Sequence, residues 1–448
     1  MPGSKDHRHL LDLAESMVAL GTADGADDVE ITIFEGTEFD VDVRMGDIEN
    51  LIEAGSRSIS LKVIKDRKTA YASSSDLSRD SLRKLVANAV RRAELSNTDT
   101  CAGLPDSQES GIDIQALRLY DPRIPELSPE EKIGLAKETE RIGLLDKRIT
   151  NSHGASFETR VIKTVLANSR GMAQEYEETF CSLSLGLQAG ETDAKVEDFW
   201  SSAKRYFQEL ASPEDIALEC IERTVRQLYP RKIPTQRVPV VFEPPMTSWL
   251  LGFLCACVSG TSIYQKTSFL VDKLGEKIAD NNLSVYDDGL IPGLLGTSPF
   301  DSEGLPSRKT AVIDRGVLVN YLCNTYAARK LGLSSTGNAD GTGVGPHNFY
   351  LKAGAKPRED FIASLEKGMV LIRTLGYGLN PLTGDISRGA FGLWVEKGEI
   401  LYPVSEITIS GNLGDILQTI DMVGSDLEFR SPVSGPTLRV QELTIAGT

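Results

Sequence analysis

Chemistry in this chain of 448 residues must be sought among four histidines, six cysteines and a few clustered acids. His7 and His9 fall at the start of a helical pattern, His153 in a strand pattern and His347 after a Gly-rich run. None has a second ligand at helical or hairpin spacing, so each reads first as a surface or capping histidine. Cys255 and Cys257 invite a metal or redox reading. An i, i+2 pair on a helix points about 200° apart, however, and such residues read as core thiols. Gly341-Thr342-Gly343-Val344-Gly345 could cradle a phosphate through backbone N–H groups, although no strand and helix flank it and a mobile loop is the simpler expectation. Asp287-Asp288, and Asp301 with Glu303, could do general acid–base work, but surface turns use such pairs more often. The motifs HExxH, GxSxG, the P-loop and GxGxxG are all absent.

Any such residues must be positioned by the surrounding elements, and the first half of the chain carries the same order of elements twice. A helical pattern at His9 to Leu20, with Leu10, Leu13, Met17 and Leu20 in step, precedes β-branched stretches at Val29–Phe34, Phe39–Val43, Ile59–Val63 and Thr69–Ala72. Glu35-Gly36 and Met45-Gly46-Asp47 read as turns between them, and a helix from Ser81 to Leu95 closes the unit. After a loop rich in Asp, Pro and Gly, from Asn97 to Asp113, Ser128-Pro129-Glu130-Glu131 opens a second helix running to about Leu145. Strands are expected at Ile149–Ser156, Val161–Asn168, Ala173–Gln188 and Lys195–Tyr206, then a helix from Pro213 to Leu228. Pro230-Arg231-Lys232-Ile233-Pro234 marks a boundary before the strand Val238–Phe242. Hairpins follow at Ile313–Val317 and Val395–Ile400. The expectation is an α+β protein with units at 1–113 and 114–233, each of helix and antiparallel strands, and a β-rich C-terminal domain at 234–448.

Composition narrows the function. Hydrophobic residues at 40% and charged residues at 25% are those of a globular chain, and no apolar run approaches the roughly 18 residues of a membrane span. The N-terminus shows no secretory pattern and the cysteines no disulfide spacing, so a cytoplasmic protein with free thiols is expected. A net charge of -16 opposes direct nucleic-acid binding.

The C-terminal half strings together Pro299-Phe300-Asp301-Ser302-Glu303-Gly304, Tyr326-Ala327-Ala328-Arg329-Lys330-Leu331-Gly332 and Ser335-Thr336-Gly337-Asn338. Asn380-Pro381-Leu382-Thr383-Gly384-Asp385-Ile386-Ser387-Arg388-Gly389-Ala390 and Tyr402 to Leu413 follow. Together with Ala72 to Ser78 and Asp146 to Asn151, these resemble the TldD/PmbA family, on its PmbA (TldE-like) side, over essentially the whole chain. In that family the catalytic member carries HExxxH on a helix and a third zinc ligand, a Cys, near its C-terminus. By the register of the strand Val238–Phe242, the motif's histidine positions fall here on Gly252 and Cys257 and its glutamate on Phe253. Beyond Asp426 there is neither Cys nor His. One thiolate cannot replace two imidazoles, and Phe cannot activate water. The apolar residues Trp249, Leu250, Leu251, Phe253, Leu254 and Val258 further imply a helix buried nearly all round.

The resemblance implies a non-catalytic subunit, with no catalytic or metal residues of its own, that forms a heterodimer with a TldD-like zinc peptidase. Zinc is expected only in that partner. Unfolded or modified peptides are the implied substrates, and a homodimer is possible when the chain is isolated. Older family naming, modulator of DNA gyrase, then reads as an indirect effect through peptides, with no direct DNA contact. Asp301, Glu303, Thr336, Asn338, His347 and Arg388 are candidates for the cleft, being polar and Gly-flanked within the distinctive motifs. Two alternatives stay open. One is a self-sufficient peptidase using Cys257 or Cys323 with His347. The other is a peptide-binding module with Arg388 as a carboxylate clamp in a Gly-flanked loop.

Overall fold

The computed structural model of the chain describes residues 7–106, 111–191 and 195–447; residues 1–6, and 107–110 of the expected loop, lie outside the described residues. The first unit is α1 (His7–Ala23), β1 (Asp28–Arg44), β2 (Asp47–Lys65), β3 (Lys68–Ser74) and α2 (Arg79–Leu95). The second repeats that order with α3 (Pro129–Gly143), β4 (Ile149–Asn168), β5 (Ala173–Ala189), β6 (Val196–Lys204) and α4 (Pro213–Val225). All six strands join one antiparallel sheet in the order β3-β2-β1-β4-β5-β6, sewn at its centre by β1 and β4 from Glu30 opposite Asn168 to Val43 opposite Ala155.

Strand periodicity explains how four helices cover one face. Val29, Ile31 and Ile33 of β1 are buried with α1 and α2, while Phe39, Val41 and Val43 of the same strand are buried in the second unit's core, against which α3 and α4 pack. All six residues have odd numbers and so point the same way. Helices α3 and α4 start as the sequence suggests. Ser128 and Ser212 each form a capping box, with Glu131 and Asp215 respectively, and proline opens the first turn.

Two expectations about this sheet need correcting. Glu35-Gly36 is no turn: β1 runs straight through, with Gly36 opposite both Ser56 and Ile162. A Cβ on Gly36 would lie 2.8 Å from the Val161 carbonyl oxygen, so glycine here permits close strand packing. Likewise the stretches expected at Ile149–Ser156 and Val161–Asn168 are one strand, β4. The Met45-Gly46 turn is real, with both residues at positive φ, and their N–H groups donate to the buried Glu140 carboxylate of α3 at 2.9 and 2.8 Å.

Beyond residue 234 the chain is β-rich. The strand β7 (Gln236–Phe242) lies between Lys367–Leu375, parallel, and Leu438–Ala446, antiparallel. The strands Asp385–Glu396 and Glu399–Asn412 complete a circuit, so the pairings close on themselves. Helix α5 (Pro244–Val258) follows β7 into the largest apolar core. The bare face of the six-stranded sheet meets this region along residues 294–303. There Tyr176 packs edge-on against Phe300, and Arg205 donates to the carbonyls of Leu294, Leu295 and Thr297. Among the described residues no helix is long and apolar enough to cross a membrane.

Candidate functional site

Helix α5 carries the positions on which the resemblance places a zinc motif. Proline in its first turn and a near-continuous apolar sequence make it a core helix, but it is not buried all round as expected. Leu250, Leu251, Phe253, Leu254, Cys257 and Val258 are buried, whereas Ser248, Trp249, Gly252, Cys255 and Ser259 form a half-buried stripe beside the exposed Ala256. Gly252 lies on that stripe, and a Cβ there would meet nothing within 4 Å. Cys257, five residues on, is turned by about 140° and has no exposure at all. Burial pushes its thiol up to about 12. Gly252 offers no donor, Phe253 is packed in the core, and Cys257 is a protonated thiol on another face. These residues do not fit a zinc ion. Among the described residues, no three His, Cys, Asp or Glu side chains are placed to share a metal.

Five of the six cleft candidates converge nearby in one buried polar network. Its centre is Asp287, a residue whose side chain is wholly buried, contrary to the surface turn expected of Asp287-Asp288. Its carboxylate accepts from the His347 backbone N–H at 2.9 Å and from Asn338 Nδ2 at 2.7 Å. Thr336 Oγ1 donates to Asn338 Oδ1 at 2.7 Å and accepts from the Cys323 N–H at 2.8 Å. Burial raises the Asp287 pKa, although His347 and the Asn338 hydrogen bond oppose the rise.

Asp301 and Glu303 are likewise buried, not at a surface turn. Asp301 accepts from the N–H groups of Glu303, Leu305 and Ala339 at 2.9, 3.0 and 2.9 Å. Burial and the Glu303 charge push it up to about 6. Glu303 accepts from the Thr325 N–H at 2.8 Å and lies 3.7 Å from Lys62 of β2, which joins the network to the N-terminal sheet.

His347 is buried too, and no surface histidine. Its Nε2 is 2.8 Å from the Gly337 carbonyl, to which it must donate, and its Nδ1 is 3.4 Å from Ser298 Oγ. No hydrogen bond joins it to Cys257 or Cys323 among the described residues, and burial pushes Cys323 up to about 12. Neither thiol has a base. The Gly341–Gly345 run is a pinned hairpin, not a mobile loop. Ala339-Asp340 pairs with Gly343-Val344, and the carbonyls of Gly343 and Gly345 accept from Asn324 and Asn338.

Arg388 lies apart from the other five. It belongs to the strand Asp385–Glu396, opposite Ile409, and not to a Gly-flanked loop. Its guanidinium stacks over Trp249 of α5 at 5.3 Å, and Nε donates to the Leu375 carbonyl at 3.4 Å. His153, half-exposed in β4, faces the Glu197 carboxylate at 3.1 Å. Sequence reasoning missed Asp287 as the hub and Glu30 and Lys62 as its link to the sheet. Alternation from buried Val285 would have turned Asp287 inward. For Glu30, nothing local reveals that the sheet's second face is covered.

The architecture defines an α+β scaffold with a helix-covered antiparallel sheet set on a closed β-rich body. Profiles of the PmbA/TldA metallopeptidase match it at residues 29–93 (domain 1), 122–228 (central domain) and 235–447 (C-terminal domain). The chain belongs to the PmbA/TldD metallopeptidase family. It is 37% identical over 431 residues to the metalloprotease PmbA of Escherichia coli O157:H7, covering 96% of this chain and 94% of that one. A PmbA homologue of Haemophilus influenzae is 34% identical with the same coverage. Among solved structures, a protein of Bacteroides thetaiotaomicron provisionally described as a modulator of DNA gyrase superimposes with a TM-score of 0.91 at 27% identity, over 98% of both chains. TldE of Thermococcus kodakarensis, at 22% identity and a TM-score of 0.87 over 97% of this chain and 100% of its own, shares the fold.

Proposed function

We propose that the chain is the non-catalytic subunit of a PmbA/TldD-type zinc peptidase complex. In this reading a TldD-like partner holds the zinc and cleaves unfolded or modified peptides in the cytoplasm, and this chain shapes the chamber in which they bind. The observation that carries the reading is the donor chemistry of α5. Where the motif would need two imidazoles and a carboxylate, there is an open glycine, a core phenylalanine and a buried protonated thiol. Water activation on zinc needs at least three donors and an open fourth position, and no substitution among these three residues is conservative in that sense.

The test is a cleavage assay on an unfolded peptide with the purified chain alone, a TldD-like partner alone and the two mixed. The expected outcome is silence from this chain alone and cleavage in the mixture that exceeds the partner's own. Cleavage by the lone chain, resistant to chelators and abolished by thiol alkylation, would overturn the proposal in favour of a cysteine peptidase.

A further inference from the structure

We propose that the cavity between α4 and the start of α5 binds a zwitterion, either an amino acid or a short peptide with both ends free. The peptidase-subunit reading bears only on what such a ligand would mean, a product or fragment of the substrate; the site stands on its own geometry. The cavity measures about 720 Å³, a size that holds a small ligand.

Its floor is Trp200 with two guanidiniums over the ring, Arg430 at 3.6 Å and Arg223 at 4.5 Å from the centroid. Arg223 is 6% exposed, yet among the described residues its side chain donates no hydrogen bond. Asp198 and Glu243 stand 3.6 and 3.7 Å away, close enough for ion pairing and too far to match its N–H groups, and Nε is buried with no acceptor among the described residues. Glu243 is already taken. Both its oxygens accept from Arg226 at 2.8 Å, and one also accepts from Arg358. Arg430 donates to the Ser201 carbonyl and lies 3.8 Å from Glu428. Burial lowers its pKa, the charges of Glu428 and Glu219 only partly oppose that, and the Arg223 charge adds to it. A buried guanidinium whose N–H groups lack matched acceptors is costly and rare, and an oxyanion against the cavity side of Arg223 would supply one, with the Arg430 charge adding to the attraction.

The mouth has the opposite sign. Asp215, Glu219 and Glu222 line it from α4. Asp215 is engaged by Ser212, but Glu219 and Glu222, three residues apart on one helix face, make no side-chain hydrogen bond or ion pair among the described residues. A dianion drawn by the floor would be repelled at the mouth. A zwitterion places its carboxylate inward and its ammonium outward, and Leu218, Pro244 and Pro245 give its side chains an apolar wall.

Titration calorimetry of the full chain, without any partner, tests this with trialanine, its C-terminal amide and its N-acetyl form. Expected are saturable binding of trialanine, a loss of about tenfold or more for the amide, and a smaller loss for the acetylated peptide. Arg430→Met should weaken trialanine by a similar factor. Because that variant alters a packed indole, the surface pair Glu219→Gln and Glu222→Gln gives an independent reading: it should weaken trialanine and leave acetyl-trialanine unchanged. Absence of saturable heat at millimolar trialanine would overturn the proposal. So would equal binding of the amide, or inorganic phosphate binding as tightly as trialanine. No cleavage is measured, so failure of the subunit reading and failure of this site remain separate results.

Discussion

Glu30 shows what a buried side chain does when its neighbours cannot neutralise it. On β1 it faces Lys62 across the sheet, with Asp28 on its own strand, Tyr71 on β3, and Asp301 and Glu303 from the C-terminal region. Burial works against the charge on Lys62, but Glu30 and Glu303 outweigh it and hold its pKa above the ordinary lysine value. One lysine cannot balance three buried carboxylates. Burial therefore raises Glu30 to about 7, Lys62 lowers it only in part, and Oε2 has no hydrogen-bond partner among the described residues. A folded pKa above the unfolded one means that folding takes up a proton. The associated stability is complete below the ordinary carboxylate pKa and is lost as pH rises through about 7. Glu30→Gln should thus gain on the wild type by on the order of 3 kcal/mol between pH 5 and pH 8 in urea unfolding. Parallel pH profiles would contradict this. Residue types at this scale were legible, since Asp301, Glu303, Thr336, Asn338 and His347 stood out as polar groups among glycines. Their roles were not, because exposure is decided by which distant segment covers them.

At the scale of elements, local signals did well where they are local. The capping boxes at Ser128 and Ser212 and the turn at Met45-Gly46 follow from short-range chemistry. The strand lengths did not, because Gly36 inside a 17-residue strand looks like a turn until Val161 is found against it. The β1–β2 turn also depends on Glu140, whose carboxylate receives two backbone N–H groups from another unit. Glu140→Ala would leave both donors unmatched. It should cost about 2 kcal/mol and raise amide exchange at Met45 and Gly46 above that of the neighbouring strand. Unchanged protection there would show that the turn holds itself.

On the scale of the whole molecule, the repeat of helix, strands and helix was legible, but the pairing of β1 with β4 that merges the two units into one sheet was not. Such pairing joins residues more than a hundred positions apart, and no periodicity within either strand encodes its neighbour. The same holds for the covered second face of the sheet. Membership of a peptidase family and the failure of α5 to offer zinc ligands point in different directions for an isolated chain, and the proposed complex reconciles them by giving the metal to a second subunit. Metal stoichiometry tests this most directly. The chain purified alone, exposed to zinc and dialysed, should retain none by elemental analysis, while its complex with a TldD-like subunit should hold zinc in proportion to that subunit only. Stoichiometric zinc bound by the lone chain, and lost on Cys257→Ala, would contradict the account.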